Sequence, residues 1–163
     1  MRNTSLVKFL GIALILSSSI SQGNETKMAN VLSKRNFQEA LTEAVTDSKV
    51  GIKIAPLTGD DTFALYVTEI PGKGKVGAHY HKEGLEVYQI LSGNGTMHFG
   101  KPQSDNSVIW ETPLEVKEGD FFTIPQGTVH QLRNPYQNKL VLVFGCPKSH
   151  LGTDRVIVEE QKD

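Results

Sequence analysis

The sequence predicts an all-β domain, a closed barrel or two packed sheets of the jelly-roll kind, preceded by one short helix. Three observations carry this. From residue 50 onward short β-type runs recur with no helical spacing between them. Turn residues fall between most of those runs: Pro71-Gly72, Gly93-Asn94-Gly95, Gly119-Asp120, Pro125-Gln126-Gly127 and Asn134-Pro135. About ten short strands in a single domain must also hide their edges, which a barrel or jelly roll achieves.

Taken in order, the chain divides into three parts. Residues 1–21 have the layout of a secretory signal peptide. Arg2 and Lys8 precede the apolar run Phe9-Leu10-Gly11-Ile12-Ala13-Leu14-Ile15-Leu16, and small polar residues follow, with Ser19 and Ser21 offering a small-x-small cleavage site. The run falls short of the roughly 20 apolar residues that span a bilayer. Export to the periplasm or the exterior is therefore expected, with no membrane attachment after cleavage. Residues 22–49 form an extension in which Phe37, Ala40, Leu41 and Ala44 keep helical spacing, which predicts a short amphipathic helix packed on the outside of the domain. Residues 50–163 are the barrel domain.

Candidate strands there are 50–54, 62–70, 76–81, 86–91, 96–99, 108–116, 120–124, 129–133, 140–146 and 155–159. The run Leu140-Val141-Leu142-Val143-Phe144 is apolar at every position, as a strand buried on both faces should be.

Composition bounds the partners. Seventeen basic residues stand against 18 acidic ones, for a formal charge of −1. Loss of Arg2 and Lys8 with the leader makes it −3. Such a balance gives no broad attraction to nucleic acid or anionic membrane, which leaves a small molecule as the expected ligand. Cys146 is the sole cysteine, so no intrachain disulfide forms, and none lies near the cleavage site to carry a lipid. Its apolar approach through Val143 and Phe144 predicts an inert buried thiol.

Two segments carry chemistry. In Gly77-Ala78-His79-Tyr80-His81 the two imidazoles stand at i and i+2, so on a strand they leave the same face and can grip one ion together. After the turn Lys82-Glu83-Gly84, Glu86 opens the next strand and its carboxylate can return beside them. Glu83, within that turn, is expected to be solvated. The second segment runs from Gly119 to His130, which follows the Pro125-Gln126-Gly127 turn and supplies a fourth ligand. Three neutral imidazoles and one carboxylate suit one divalent ion, Fe, Mn, Co, Ni, Cu or Zn. Tyr88 shares strand phase with Glu86 and is a weaker candidate for the pocket. His98 and His150 lie outside both segments and are expected to be structural or surface groups.

These segments resemble the paired motifs of the cupin superfamily. The first motif is Gly, five residues, His-x-His, three or four residues, Glu, six residues and Gly, and His79, His81, Glu86 and Gly93 match it. Its opening glycine falls on Lys73, flanked by Gly72 and Gly74, which implies a small slip in the preceding loop. The second motif is matched in full by Gly119, Pro125, Gly127, His130 and Asn134. The resemblance covers residues 50–146. It implies a double-stranded β-helix barrel with His79, His81, Glu86 and His130 on a metal, and a homodimer, since many members of the family dimerise.

The resemblance further implies a metal-dependent oxidoreductase, dioxygenase-like or oxidase-like, acting on a small organic molecule. Glu86 doubles there as a catalytic base, a role suited to a carboxylate of raised pKa. The alternatives are a lyase or isomerase using the ion as a Lewis acid, and a binding protein without catalysis. No Lys or Arg stands in the ligand-bearing phase of the two motif strands, which disfavours phosphorylated sugars and favours small carboxylates, enols or phenolics. The thiol-oxidising members generally lack the glutamate that this chain keeps.

Overall fold

A computed structural model describes residues 32–162. The expected signal peptide and the first part of the extension lie outside the described residues. Among the described residues, 33–162 belong to one compact unit. It opens with helix α1 (Phe37–Thr42), where Asn36 caps the N-terminus by accepting the backbone N–H groups of Gln38 and Glu39. Phe37, Ala40 and Leu41 pack against Ala55, Val67 and Val141 on the outer face of a sheet, as the helical spacing predicts.

Twelve strands follow, and every pairing between them is antiparallel. They are β1 (Val45–Asp47), β2 (Ile52–Gly59), β3 (Ala64–Ile70), β4 (His79–Tyr80), β5 (Glu86–Ser92), β6 (Asn94–Pro102), β7 (Val108–Trp110), β8 (Leu114–Lys117), β9 (Phe121–Ile124), β10 (Val129–Arg133), β11 (Leu140–Cys146) and β12 (Val156–Ile157). One sheet has the order β1-β2-β3-β11-β5-β9, the other β12-β4-β10-β6-β7 with β8 also on β6. This is the expected all-β barrel of two facing sheets.

β11 lies between β3 and β5, which explains its unbroken apolar run. Leu140, Leu142, Phe144 and Cys146 face the interior core with Tyr66, Ile70, Tyr88, Ile90 and Leu132, whereas Val141 and Val143 face outward beneath α1.

Four local expectations are corrected. The run 108–116 is two strands, β7 and β8, parted by Glu111-Thr112-Pro113, where Pro113 has no N–H to give a ladder. Only His79 and Tyr80 of 76–81 hold strand geometry, with Lys75 making an isolated bridge to Arg133. A 3-10 helix (Lys148–Leu151) interrupts the region expected to be free of helix. Lys73 itself has φ +63°, the left-handed conformation that glycine normally supplies. The loop has therefore not slipped: Lys73 occupies the motif's glycine position, inside a turn closed by the Gly74 N–H to Pro71 C=O bond.

Cys146 is fully buried, and burial together with the nearby Glu86 carboxylate pushes its thiol pKa well up. The native protein should react with a disulfide reagent at least ~100-fold more slowly than the urea-unfolded chain, read as thiolate release over time. Equal rates in the two states would contradict the burial.

Candidate metal centre

The two sheets bring the motif residues to one point. His79 on β4 and His130 on β10 are direct register partners across a strand pair, and His81 follows two residues after His79. Glu86 reaches in from the opposite sheet as the first residue of β5. The turn before His130 depends on Gly127, whose φ of +74° strains any side-chain-bearing residue. Its N–H donates to the His81 carbonyl at 2.8 Å, tying the two ligand-bearing turns together.

The donor atoms of His79, His81, Glu86 and His130 lie within 4.8 Å of one another, and all four residues are buried. Each imidazole has Nδ1 against a backbone carbonyl: Gly77 for His79 at 2.8 Å, Asp154 for His81, and Thr128 for His130 at 3.1 Å. A carbonyl can only accept, so each Nδ1 carries the hydrogen and, in the neutral ring, each Nε2 carries a lone pair. Glu86 Oε1 stands 3.3 Å from His81 Nε2, and Oε2 stands 3.3 Å from His130 Nε2. His81 Nε2, His130 Nε2 and Glu86 Oε2 are buried without a hydrogen-bond partner.

Buried lone pairs facing one another are costly. A divalent cation would satisfy all of them at once, so the residues present fit such an ion. Nitrogen-rich ligation with one carboxylate suits the first-row metals from Mn to Zn.

Electrostatics sharpen the picture. Burial, followed by the adjacent His130, holds the His79 imidazole well below its ordinary 6.5. Burial alone would raise the Glu86 carboxyl, but His130, His150 and His81 lower it below its ordinary value where the ring nitrogens facing it carry a proton. That direction runs against the expectation of a raised carboxyl. For His150, burial opposes charge, yet Glu86 and the Glu83 carbonyl raise its pKa.

The consequence for stability follows from which state binds the protons. The unfolded chain takes protons at His79 below 6.5 and at Glu86 below 4.5 that the folded chain refuses, so those contributions are present at neutral pH and lost as pH falls. His150 acts oppositely, its contribution being present below 6.5 and lost as pH rises through its folded value. Below pH 4.5 both lowered groups act in the same direction, while the His150 contribution is already complete. The urea midpoint of metal-free protein should therefore be lower at pH 3.5 than at pH 7.5, and an equal or higher midpoint in acid would refute the balance.

Among the sequence-predicted residues, Glu83 is exposed as expected and His98 is half-buried beside Trp110. Tyr88 is buried, its ring edge-on to His130 at 6.2 Å. It lines an interior cavity of about 20 Å³ with His79, Glu86 and Arg155, which is room for about one water. A larger cavity of about 390 Å³ is lined by His130 together with Met97, Phe99, Leu114, Phe122, Ile124 and Pro125, with Lys101 and Glu111 the only charged residues. Leu114 is 51% exposed, so this cavity meets the surface.

Two neighbours of the site were not legible in the motifs. Arg155 has a side chain only 3% exposed, is paired with Asp47 of β1 at 2.5 Å, and has an unpartnered Nε. His150, expected to be a structural or surface group, is fully buried against Glu86. Both follow the last motif residue by more than 15 positions, and no local pattern marks them.

Comparison with known proteins bears on the fold that holds this site. The cupin domain family matches residues 65–145. An uncharacterized protein of Aquifex aeolicus (strain VF5) is 32% identical over 81 residues, which are 50% of this chain and 58% of that protein. An uncharacterized conserved protein with a double-stranded β-helix domain from Klebsiella pneumoniae superposes with a TM-score of 0.56 at 14% identity, covering 81% of this chain and 99% of the other. A predicted oxalate decarboxylase from Thermotoga maritima superposes with a TM-score of 0.57 at 19% identity, covering 71% and 98%. At such identities the two structures speak for the shared fold alone. Both motifs, two facing sheets and the family match together place this chain in the cupin superfamily.

Proposed function

We propose that this chain is an exported, metal-dependent oxidoreductase acting on a small, largely apolar organic molecule. The observation that carries the reading is the set of unpartnered donor atoms on His81, His130 and Glu86, of which His130 also lines the apolar cavity of about 390 Å³. A divalent ion bound there would supply Lewis acidity and, with Fe or Mn, a redox couple. His79, His81 and His130 would hold it through Nε2, each ring locked by its Nδ1–H bond, and Glu86 would supply the one anionic donor.

Met97, Phe99, Phe122 and Ile124 exclude water from the approach and match an apolar or aromatic body, while Lys101 and Glu111 can orient a polar end. Phenolics, enols and small carboxylates with an apolar portion form the substrate class to try first. A lyase or isomerase that draws a proton with Glu86 is the second reading, and it would need the carboxylate to leave the ion, since a carboxylate held on a divalent cation is a poorer base. Export rests on the composition of residues 1–21.

The test uses chain from residue 22 onward, loaded separately with Fe(II) and Mn(II) under argon and then given air and a panel of those compounds. Substrate-dependent oxygen consumption by one metal form supports the reading. Full metal occupancy with no oxygen uptake across the panel, but saturable quenching of the Trp110 emission, would replace it with a binding protein.

A further inference from the structure

The segment after β11 lies beyond the family-matched span of 65–145, yet it reaches back to the ligands. His150, on the 3-10 helix, is 0% exposed. Its Nδ1 meets Glu86 Oε1 at 3.2 Å and its Nε2 meets the Glu83 carbonyl at 2.6 Å. Its ring lies on that of His81 with centroids 3.8 Å apart and planes only 5° from parallel. Asp154 completes the arrangement: its carbonyl accepts the His81 Nδ1–H, and its carboxylate accepts the backbone N–H groups of Lys82 at 2.8 Å and Glu83 at 3.0 Å. The Asp154 N–H donates to the Ser149 carbonyl, which holds the two residues as a unit.

From this geometry we propose that His150 is a positioning residue of the metal centre, and that with Asp154 it forms a C-terminal clasp presetting His81 and Glu86. The proposal rests on the metal-centre reading above. His150 is not itself a ligand in this arrangement, because both its ring nitrogens are already engaged, whereas His81 and His130 keep Nε2 without a partner. Holding Oε1 leaves Oε2 as the carboxylate oxygen with no hydrogen bond, which is the oxygen offered to the ion. The stacked ring keeps the His81 imidazole from turning about χ2. An unclasped Glu86 would swing among rotamers and lose part of its binding free energy to ordering.

The test compares wild type with His150→Phe, which keeps a flat ring but no donor, and His150→Gln, which keeps a donor. Co(II) is titrated against a competing chelator, and its visible absorption bands report ligand geometry. His150→Phe should bind Co(II) roughly 10 to 100-fold more weakly with an altered band pattern, and His150→Gln should recover most of the affinity. The metal-free His150→Phe protein should melt somewhat below the metal-free wild type, since the Glu86 Oε1 and the Glu83 carbonyl lose their partner, but should remain folded at the titration temperature.

Wild-type affinity and spectrum in His150→Phe would overturn the clasp while leaving the metal centre standing. Weakening in both variants in step with a lowered metal-free melting temperature would reduce His150 to a packing residue and also overturn it. A wild-type protein that binds no Co(II) would bring down the metal-centre reading and the clasp together.

Discussion

His81→Ala and His130→Ala are each expected to weaken divalent-metal binding by more than about 100-fold while the barrel stays folded. Each substitution removes a donor that is buried and unpartnered in the metal-free protein, so it also removes part of the electrostatic cost of leaving the site empty. The barrel has an independent apolar core around Ile70, Ile90, Leu132, Leu140 and Leu142, so far-UV circular dichroism should be unchanged.

The thermal response supplies a second readout. A metal at about 100 times its dissociation constant stabilises the native state by about 2.7 kcal/mol. At about 4 °C per kcal/mol for a domain of this size, the wild type should melt about 10 °C higher with metal than after chelation. Both variants should lose that difference. If both retained a full equivalent of metal after gel filtration, the site assignment would be wrong.

Asn134→Ala is expected to destabilise the protein by about 3 kcal/mol with little effect on the ligands themselves. Asn134 closes the second motif and is 1% exposed. Its Nδ2 faces three carbonyls, Ile70 and Pro71 at 3.1 Å each and Asn138 at 2.7 Å, and its Oδ1 accepts the Tyr136 N–H at 3.1 Å. One amide thus ties the end of β3 to the turn between β10 and β11. Alanine strands those groups away from water, each worth about 1 to 3 kcal/mol. Asn134→Asp should be at least as damaging, because it turns an oxygen toward carbonyls where a donor stood. A fall in melting temperature of about 10 °C for Asn134→Ala checks this by differential scanning calorimetry. A fall of under about 2 °C would show that water enters and replaces the amide.

The site was readable to the extent that it is local. His79 and His81 two residues apart, and His130 just after a Pro and Gly turn, declare a shared face through backbone periodicity alone, and the structure places them together with Glu86. The double-faced burial of β11 was legible for the same reason, since every position in it is apolar. Strand ends were less legible. β4 shrinks to two residues because its neighbours on either side spend their backbone groups on loop contacts, the Gly77 N–H on the Val50 carbonyl and the His81 carbonyl on the Gly127 N–H. Lys73 shows a different limit: a motif glycine reports a needed backbone conformation, and another residue can adopt it at some cost, which reads as a slip until φ is known.

By itself the sequence determined the all-β class, the short outer helix, the central apolar strand and the identity of the four converging donors, because each depends on spacing within a few residues. Only the tertiary structure decided what surrounds them. His150 reaches Glu86 across 64 positions, Asp154 holds His81 across 73, and Arg155 pairs with Asp47 across 108. Periodicity carries no information over such separations, since they arise from how two sheets and a returning C-terminal segment pack. The same packing set the surroundings of Glu86, whose carboxyl meets three imidazoles delivered from β10, from the residue after β4 and from the 3-10 helix.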